Sequence, residues 1–212
     1  MAHAIADITI PDSTVARDPA DLIRSTVGEL LFNHSSRVFL FGALKGRRRG
    51  LTPDLGQLYV AALFHDLGLA SQYAGSQERF EMDGADVARE FLLAQDRSAE
   101  EAHTAWLAIA LHTTPSIPRA LAPETALVAA GVETDVLGLQ LDEIGPAHRE
   151  AVVDACPRPQ FKRNIPTAFN DGMKHRFGST FGTMTDDVLA HFDASFERAN
   201  FAEIINSSAW AA

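Results

Sequence analysis

The sequence predicts an all-α domain built as a helical bundle, and three observations predict it. Apolar residues recur at three- and four-residue spacing in one segment after another. The sustained two-residue alternation of a half-buried strand is missing. Between the periodic segments lie residues whose chemistry starts and stops helices. At 212 residues, 46% hydrophobic and 22% charged, the chain is long enough for one domain with a sizeable core.

Residues 1–17, with Pro11 among small and polar neighbours, are expected to form an extended lead-in, and 18–212 a single domain. Asp18 can cap a helix whose first position is Pro19, and Asp21 adds charge suited to that end. From about Gly28 to Lys45, Leu31, His34, Val38 and Phe41 share one helical face, and Gly46 and Gly50 end it. Thr52-Pro53-Asp54 opens the next helix, with Leu55, Leu58, Tyr59, Ala62 and Asp66 along one face and Gly68 as its stop. After Asp83-Gly84, Val87, Ala88, Phe91 and Leu92 mark a further amphipathic helix. Ser98 and Glu101 form a capping box ahead of AHTAWLAIALH, which is apolar almost all round and therefore expected at the centre. Pro115 and Pro118 close that helix, and another follows over 123–130. The more polar last third predicts helices near 142–155, 160–175 and 184–199.

The bulk chemistry narrows the function. A net charge of -10 speaks against a nucleic-acid partner, because neutralising phosphates needs a basic face. The one basic run, Arg47-Arg48-Arg49, suits a helix C-terminus. With Cys156 as its single cysteine the chain has neither an internal disulfide nor a multi-cysteine zinc site. No apolar stretch reaches the roughly 18–20 residues of a membrane span, and the N-terminal residues lack a signal-peptide pattern. A cytoplasmic protein acting on a small molecule, without a membrane partner, is the expectation. The oligomeric state is left open, since Phe201, Ile204, Ile205 and Trp210 could cover either their own core or a neighbour.

Chemistry is concentrated in polar residues that interrupt apolar rows. His65 continues the row Leu58–Ala61, and Asp66 continues Tyr59–Ala62. A carboxylate on such a row needs a cation, hydrogen-bond donors or a raised pKa. For an isolated His-Asp pair, a helix-end cap is the commoner explanation. His34, between Leu31 and Val38, and Asp135, among Val132, Val136 and Leu137, repeat the anomaly, although a core histidine and a helix cap would explain each singly. One economical reading covers all four: His34, His65, Asp66 and Asp135 converge on a divalent metal ion.

The order His…His-Asp…Asp resembles the HD superfamily of metal-dependent hydrolases. More narrowly, NHSSRVFLFG (33–42), LFHDLGL (63–69), ERFEMDGADVAREFL (78–92), IALHTT (109–114), GVETDVLG (131–138) and the tail STFGTM…NFAEIINSSAW resemble cyanamide hydratase-type HD proteins, from about residue 25 onward. The resemblance implies one zinc ion that supports addition of water to cyanamide, giving urea; the same donor set also accepts iron or manganese. It places the metal ligands at His34, His65, Asp66 and Asp135. Asp66 and His112 are the candidates for the acid–base group, His112 being otherwise a helix-end histidine. Phe80-Glu81-Met82-Asp83 stands where a two-metal relative would supply another histidine, which favours one metal. Phe80, Asp83 and Trp106 are candidates for a substrate pocket, with helix capping as the other role open to Asp83. His103 falls on the opposite side of its helix from His112, and His148, His175 and His191 lie on polar segments.

Two rival functions remain. A phosphohydrolase would need cations on the phosphate, and Arg37, one turn after His34, is the only basic residue near the expected centre. An interaction module would use the fold without turnover, keeping a metal for stability alone.

Overall fold

The computed structural model describes residues 3–12 and 14–210, apart from the side chains of residues 14–18. It is helical, with a single two-stranded ribbon among the described residues. β1 (Ala4–Ile5) and β2 (Ile8–Thr9) pair antiparallel across a turn in which Ala6 and Asp7 both have positive φ, the geometry that matches strand twist. The expected lead-in is thus a small hairpin that buries Ile8.

α1 (Thr14–Arg49) begins before Pro19 and breaks at Gly28, whose φ of 75° and ψ of 174° are open to glycine and costly for other residues. The proposed Asp18 cap falls on a side chain outside the described residues. Beyond Gly28 the helix runs unbroken through Gly46 to Arg49, and Gly50, with φ 69°, ends it. Gly46 terminates nothing: it makes room for Leu127, which a Cβ there would meet at 2.9 Å.

α2 (Leu55–Phe64) is capped by Asp54, whose side chain accepts from Gln57 N. Every residue from Gln57 to Phe64 is buried, so α2 is the most enclosed helix. The sequence pointed instead to α4 (Ala99–Ala110), which keeps His103 at the surface and buries chiefly Ala102, Ala105, Ala108 and Ile109. Its Ser98–Glu101 capping box forms as expected. α3 (Phe80–Ala94) starts a turn earlier than Asp83-Gly84 suggested.

α5 (Pro123–Val132) is followed at once by a π-helical turn, Glu133–Leu137, ended by Gly138 at φ 70°. Lys45, fully buried, donates to Leu139 O at 3.1 Å just beyond this turn. α6 (Pro146–Ala155), α7 (Phe161–Met173), α8 (Met184–Phe192) and α9 (Phe201–Asn206) complete the chain. The last expected helix, 184–199, ends at Phe192, and α9 lies beyond its expected end.

α1 packs against α2 and α5, and α4 bridges α3 and α5. Backbones meet closely where α5 crosses α1 and where α3 crosses α2. A Cβ on Gly131 would lie 2.2 Å from Val38 O, and one on Gly84 would lie 2.6 Å from Phe64 O. These contacts bring the C-terminal ends of α2, α4 and α5 to one region beside the middle of α1. No helix among the described residues is long and apolar enough to cross a membrane.

Candidate metal centre

Each helix that ends in this region carries one of the site residues. His65 is the C-cap of α2, and Asp66 follows it. His112 lies just past the end of α4. His34 comes from α1 and Asp135 from the π turn. All five are at most 3% exposed. Helix C-termini carry partial negative charge, so three of them ending together favour a cation between them.

Backbone and carboxylate acceptors set the imidazole tautomers. His65 Nδ1 donates to Ala62 O at 2.7 Å and His112 Nδ1 to Ile109 O at 2.6 Å, each a carbonyl three residues earlier in its own helix. His34 Nδ1 donates to Asp135 Oδ2 at 2.7 Å. With the protons held at Nδ1, the three Nε2 atoms offer lone pairs toward one another and toward Asp66.

His34 Nε2, His65 Nε2 and Asp66 Oδ2 form a triangle with edges of 3.2, 3.3 and 3.6 Å. Ligands at about 2.0–2.1 Å from a tetrahedral ion stand about 3.3 Å apart. Two facing lone pairs beside a carboxylate are unfavourable unless a cation or a proton lies between them. Both Asp66 oxygens and His112 Nε2 are buried without a hydrogen-bond partner, although His112 Nε2 is 3.7 Å from Asp66 Oδ1. The residues present therefore fit a divalent ion, held by His34, His65 and Asp66.

The electrostatics show the same demand for positive charge. Burial pushes the Asp66 carboxyl up, but the imidazoles of His65, His34 and His112 outweigh it and hold the group well below the usual carboxylate range. Burial lowers His65, and the charge and hydrogen bond of Asp66, with the Ala62 carbonyl and Asp135, together more than restore it. For His112, burial and then the neighbouring His65 push the imidazole down to about 4, so it is neutral at pH 7.

Asp135 meets the cluster differently from the expected fourth ligand. Its carboxylate accepts from Arg37 Nε at 2.8 Å and Arg37 Nη2 at 2.9 Å, besides His34 Nδ1. Burial opposes its ionisation, yet the bonds from His34 and Arg37 bring it down to about 2. The two nitrogens of an imidazole diverge, so an oxygen bonded to His34 Nδ1 lies away from the ion that Nε2 would bind. The structure makes Asp135 the group that orients His34, a common arrangement for metal-bound histidines.

Arg37 is fully committed: besides Asp135, its Nη1 donates to Cys156 O at 3.0 Å and Pro157 O at 2.9 Å. Arg158, which no sequence pattern singled out, reaches Asp135 with Nε at 3.1 Å and also bonds its backbone carbonyl. Glu81, likewise missed, is buried behind His112 and accepts from Thr113 Oγ1 and Arg79.

The three expected pocket residues lie elsewhere. A cavity of about 300 Å3 opens onto His34, Asp66 and His112, with further walls from the π turn, α7 and α8. Phe80 is fully buried and meets the rings of His112 and Phe169 edge-to-face. Asp83 is bound by Arg176 and Ser76. Trp106 donates to Asp86 on α3 at 2.8 Å and stacks on His103. None of the three lines this cavity, and their helical spacing gave no sign of which side each would face.

The comparison with curated proteins gave no match. The model of the HD domain matches residues 31–145, more than half of the 212 and the span that holds His34, His65, Asp66, His112 and Asp135. The arrangement of buried imidazoles and carboxylates at three helix ends, together with that match, places the chain in the HD domain family, whose members are generally metal-dependent hydrolases.

Proposed function

We propose that this chain is a metal-dependent hydratase or hydrolase that adds water to a small, uncharged nitrogen compound, with conversion of cyanamide to urea as the leading reaction. The observation that carries this reading is the pairing of a cation-demanding cluster with a cavity that neither lysine nor arginine lines among the described residues. Asp66 and Glu133 are the acids at its wall among the described residues.

His34, His65 and Asp66 would hold the ion, and Asp135, braced by Arg37, would keep His34 in register. Zinc is the ion the sequence resemblance implies. A bound divalent cation supplies a water acidified from pKa 15.7 to about 7. Hydration of a nitrile function places the water oxygen on the carbon and a proton on the nitrogen, and the imidic acid then tautomerises to the amide. His112 Nε2, neutral and unpartnered in its buried position, is suited to take one proton from the nucleophile and return it to the nitrogen. Asp66 Oδ1, 3.7 Å from it, is the second place where that proton can be held.

Family membership favours one alternative, a phosphohydrolase. Transfer of a phosphoryl group needs cations around its oxygens, and the one arginine expected to serve, Arg37, is already spent on Asp135 and two backbone carbonyls. Elemental analysis of the purified chain beside a urea-release assay on cyanamide tests the proposal, with a nucleoside monophosphate panel as the comparison. One divalent ion per chain and urea release are expected. Phosphate release without urea would move the function to the alternative.

A further inference from the structure

Cyanamide is small for the space above the cluster. Its bulk is about that of two water molecules, or roughly 60 Å3 at about 30 Å3 per water, against a cavity of about 300 Å3. The volume sits at the lower end of the range of about 300–1,000 Å3 seen for sites that enclose organic ligands.

The walls change character along the cavity. Its buried end holds His34, Asp66 and His112, all at most 3% exposed. Ile165 and Phe169 of α7 and Val188 of α8 form apolar sides. At the open end Val136, Leu137, Leu139 and Met184 are 36–58% exposed. Four large apolar side chains left in water around one opening are the usual mark of a surface that a ligand covers. An anionic ligand finds no lysine or arginine on these walls among the described residues, and desolvating its charge against their apolar side chains would be unfavourable.

Resting on the hydratase reading, we propose that the substrate carries an uncharged hydrocarbon arm, of about four to six carbons, behind the carbon–nitrogen group that reacts. The polar head lies against His112 and Asp66, and the arm runs between α7, α8 and the π turn toward the opening. The substrate class is thus an alkyl or aryl nitrile or a substituted cyanamide, with bare cyanamide as a minimal member. Polar recognition is confined to the buried end, so the arm sets affinity by length and not by hydrogen bonding.

The test is a series of n-alkanamides, acetamide, butanamide and hexanamide, titrated calorimetrically into the full chain as purified and after chelation. These are hydration products, so binding is read without turnover. Each buried methylene is worth roughly fourfold in affinity, and hexanamide should bind on the order of 10²-fold tighter than acetamide. Adenosine monophosphate and inorganic phosphate should bind more weakly than hexanamide. Val188→Trp, filling the side of the cavity, and Leu137→Glu, charging its opening, should each reduce hexanamide affinity at least tenfold with metal content and circular dichroism unchanged.

A flat series overturns the inference, as does a series that both folded variants bind like the parent chain or a nucleotide that outbinds hexanamide. The two readings fail separately. Cyanamide hydration with a flat amide series would remove the arm and leave the reaction. A rising series without hydration would leave the pocket and remove the reaction.

Discussion

Asp66 is a buried carboxylate whose two oxygens find no donor and whose nearest neighbours are imidazole nitrogens at 3.3 and 3.6 Å. Replacing it by alanine removes one corner of the triangle and the negative charge, so Asp66→Ala should purify without metal and without turnover. Asp135→Ala separates a ligand from a group that orients one. Loss of a partner that orients a metal-bound histidine typically weakens metal affinity about 10–100-fold, so this variant should still take up metal at raised concentration. Metal retention as poor as in Asp66→Ala, measured by competition with a chelator, would make Asp135 a ligand. His112→Ala should keep its metal and slow turnover by roughly 10²–10⁴, the usual worth of an acid–base group; loss of the ion would show that Nε2 is a ligand. His34, His65 and Asp66 were legible in the sequence because a polar group on an apolar row has few ways to be satisfied. Which nitrogen of His34 faces Asp135 was not legible, since ring orientation depends on Arg37 and on backbone carbonyls 119 and 120 residues away.

At the scale of elements, local chemistry fixed some ends and packing moved others. Asp54 starts α2 as its position before Leu55 suggested, and its carboxylate accepts from Gln57 N and from Arg97 Nη2. Burial raises the Asp54 pKa, but the Gln57 and Arg97 bonds outweigh that and leave it below its ordinary value. The sign follows from that depression. The charged cap stabilises the fold fully above the ordinary carboxylate pKa, and the contribution is lost as pH falls through the lowered one. Asp54→Ala should therefore cost about 1 kcal/mol at pH 7 in urea unfolding, and the deficit should shrink toward pH 3. A deficit independent of pH would show that the carboxylate charge contributes nothing. The ends of α1 and α5 were harder to locate. Gly46 resembles a stop until Leu127 is placed against it, and Gly131 resembles a flexible spacer until Val38 O is seen 2.2 Å from its missing Cβ. The π turn had no signature: one extra residue after α5 turns Asp135 inward and leaves Val136 and Leu137 at the cavity opening. Such bulges are frequent at functional sites.

For the whole molecule, the metal centre is also a structural joint. The ends of α2, α4 and α5 and the middle of α1 meet there, and without an ion the joint brings two imidazole lone pairs to 3.2 Å beside an unpartnered carboxylate. An ion that binds the folded chain and not the unfolded one stabilises it by about 2.7 kcal/mol when present at 100 times its dissociation constant. For a chain of this size each kcal/mol moves the melting temperature by about 2–4 °C, so chelation should lower it by roughly 5–11 °C. Asp66→Ala, which lacks the site, should melt at the same temperature with and without chelator. The three helix ends belong to one packed core, so the parent chain should shift as a single transition instead of shedding an early step. An unchanged melting temperature after verified removal of the ion would mean that the joint is held by packing alone, with His65 and Asp66 sharing a proton where the cation would sit.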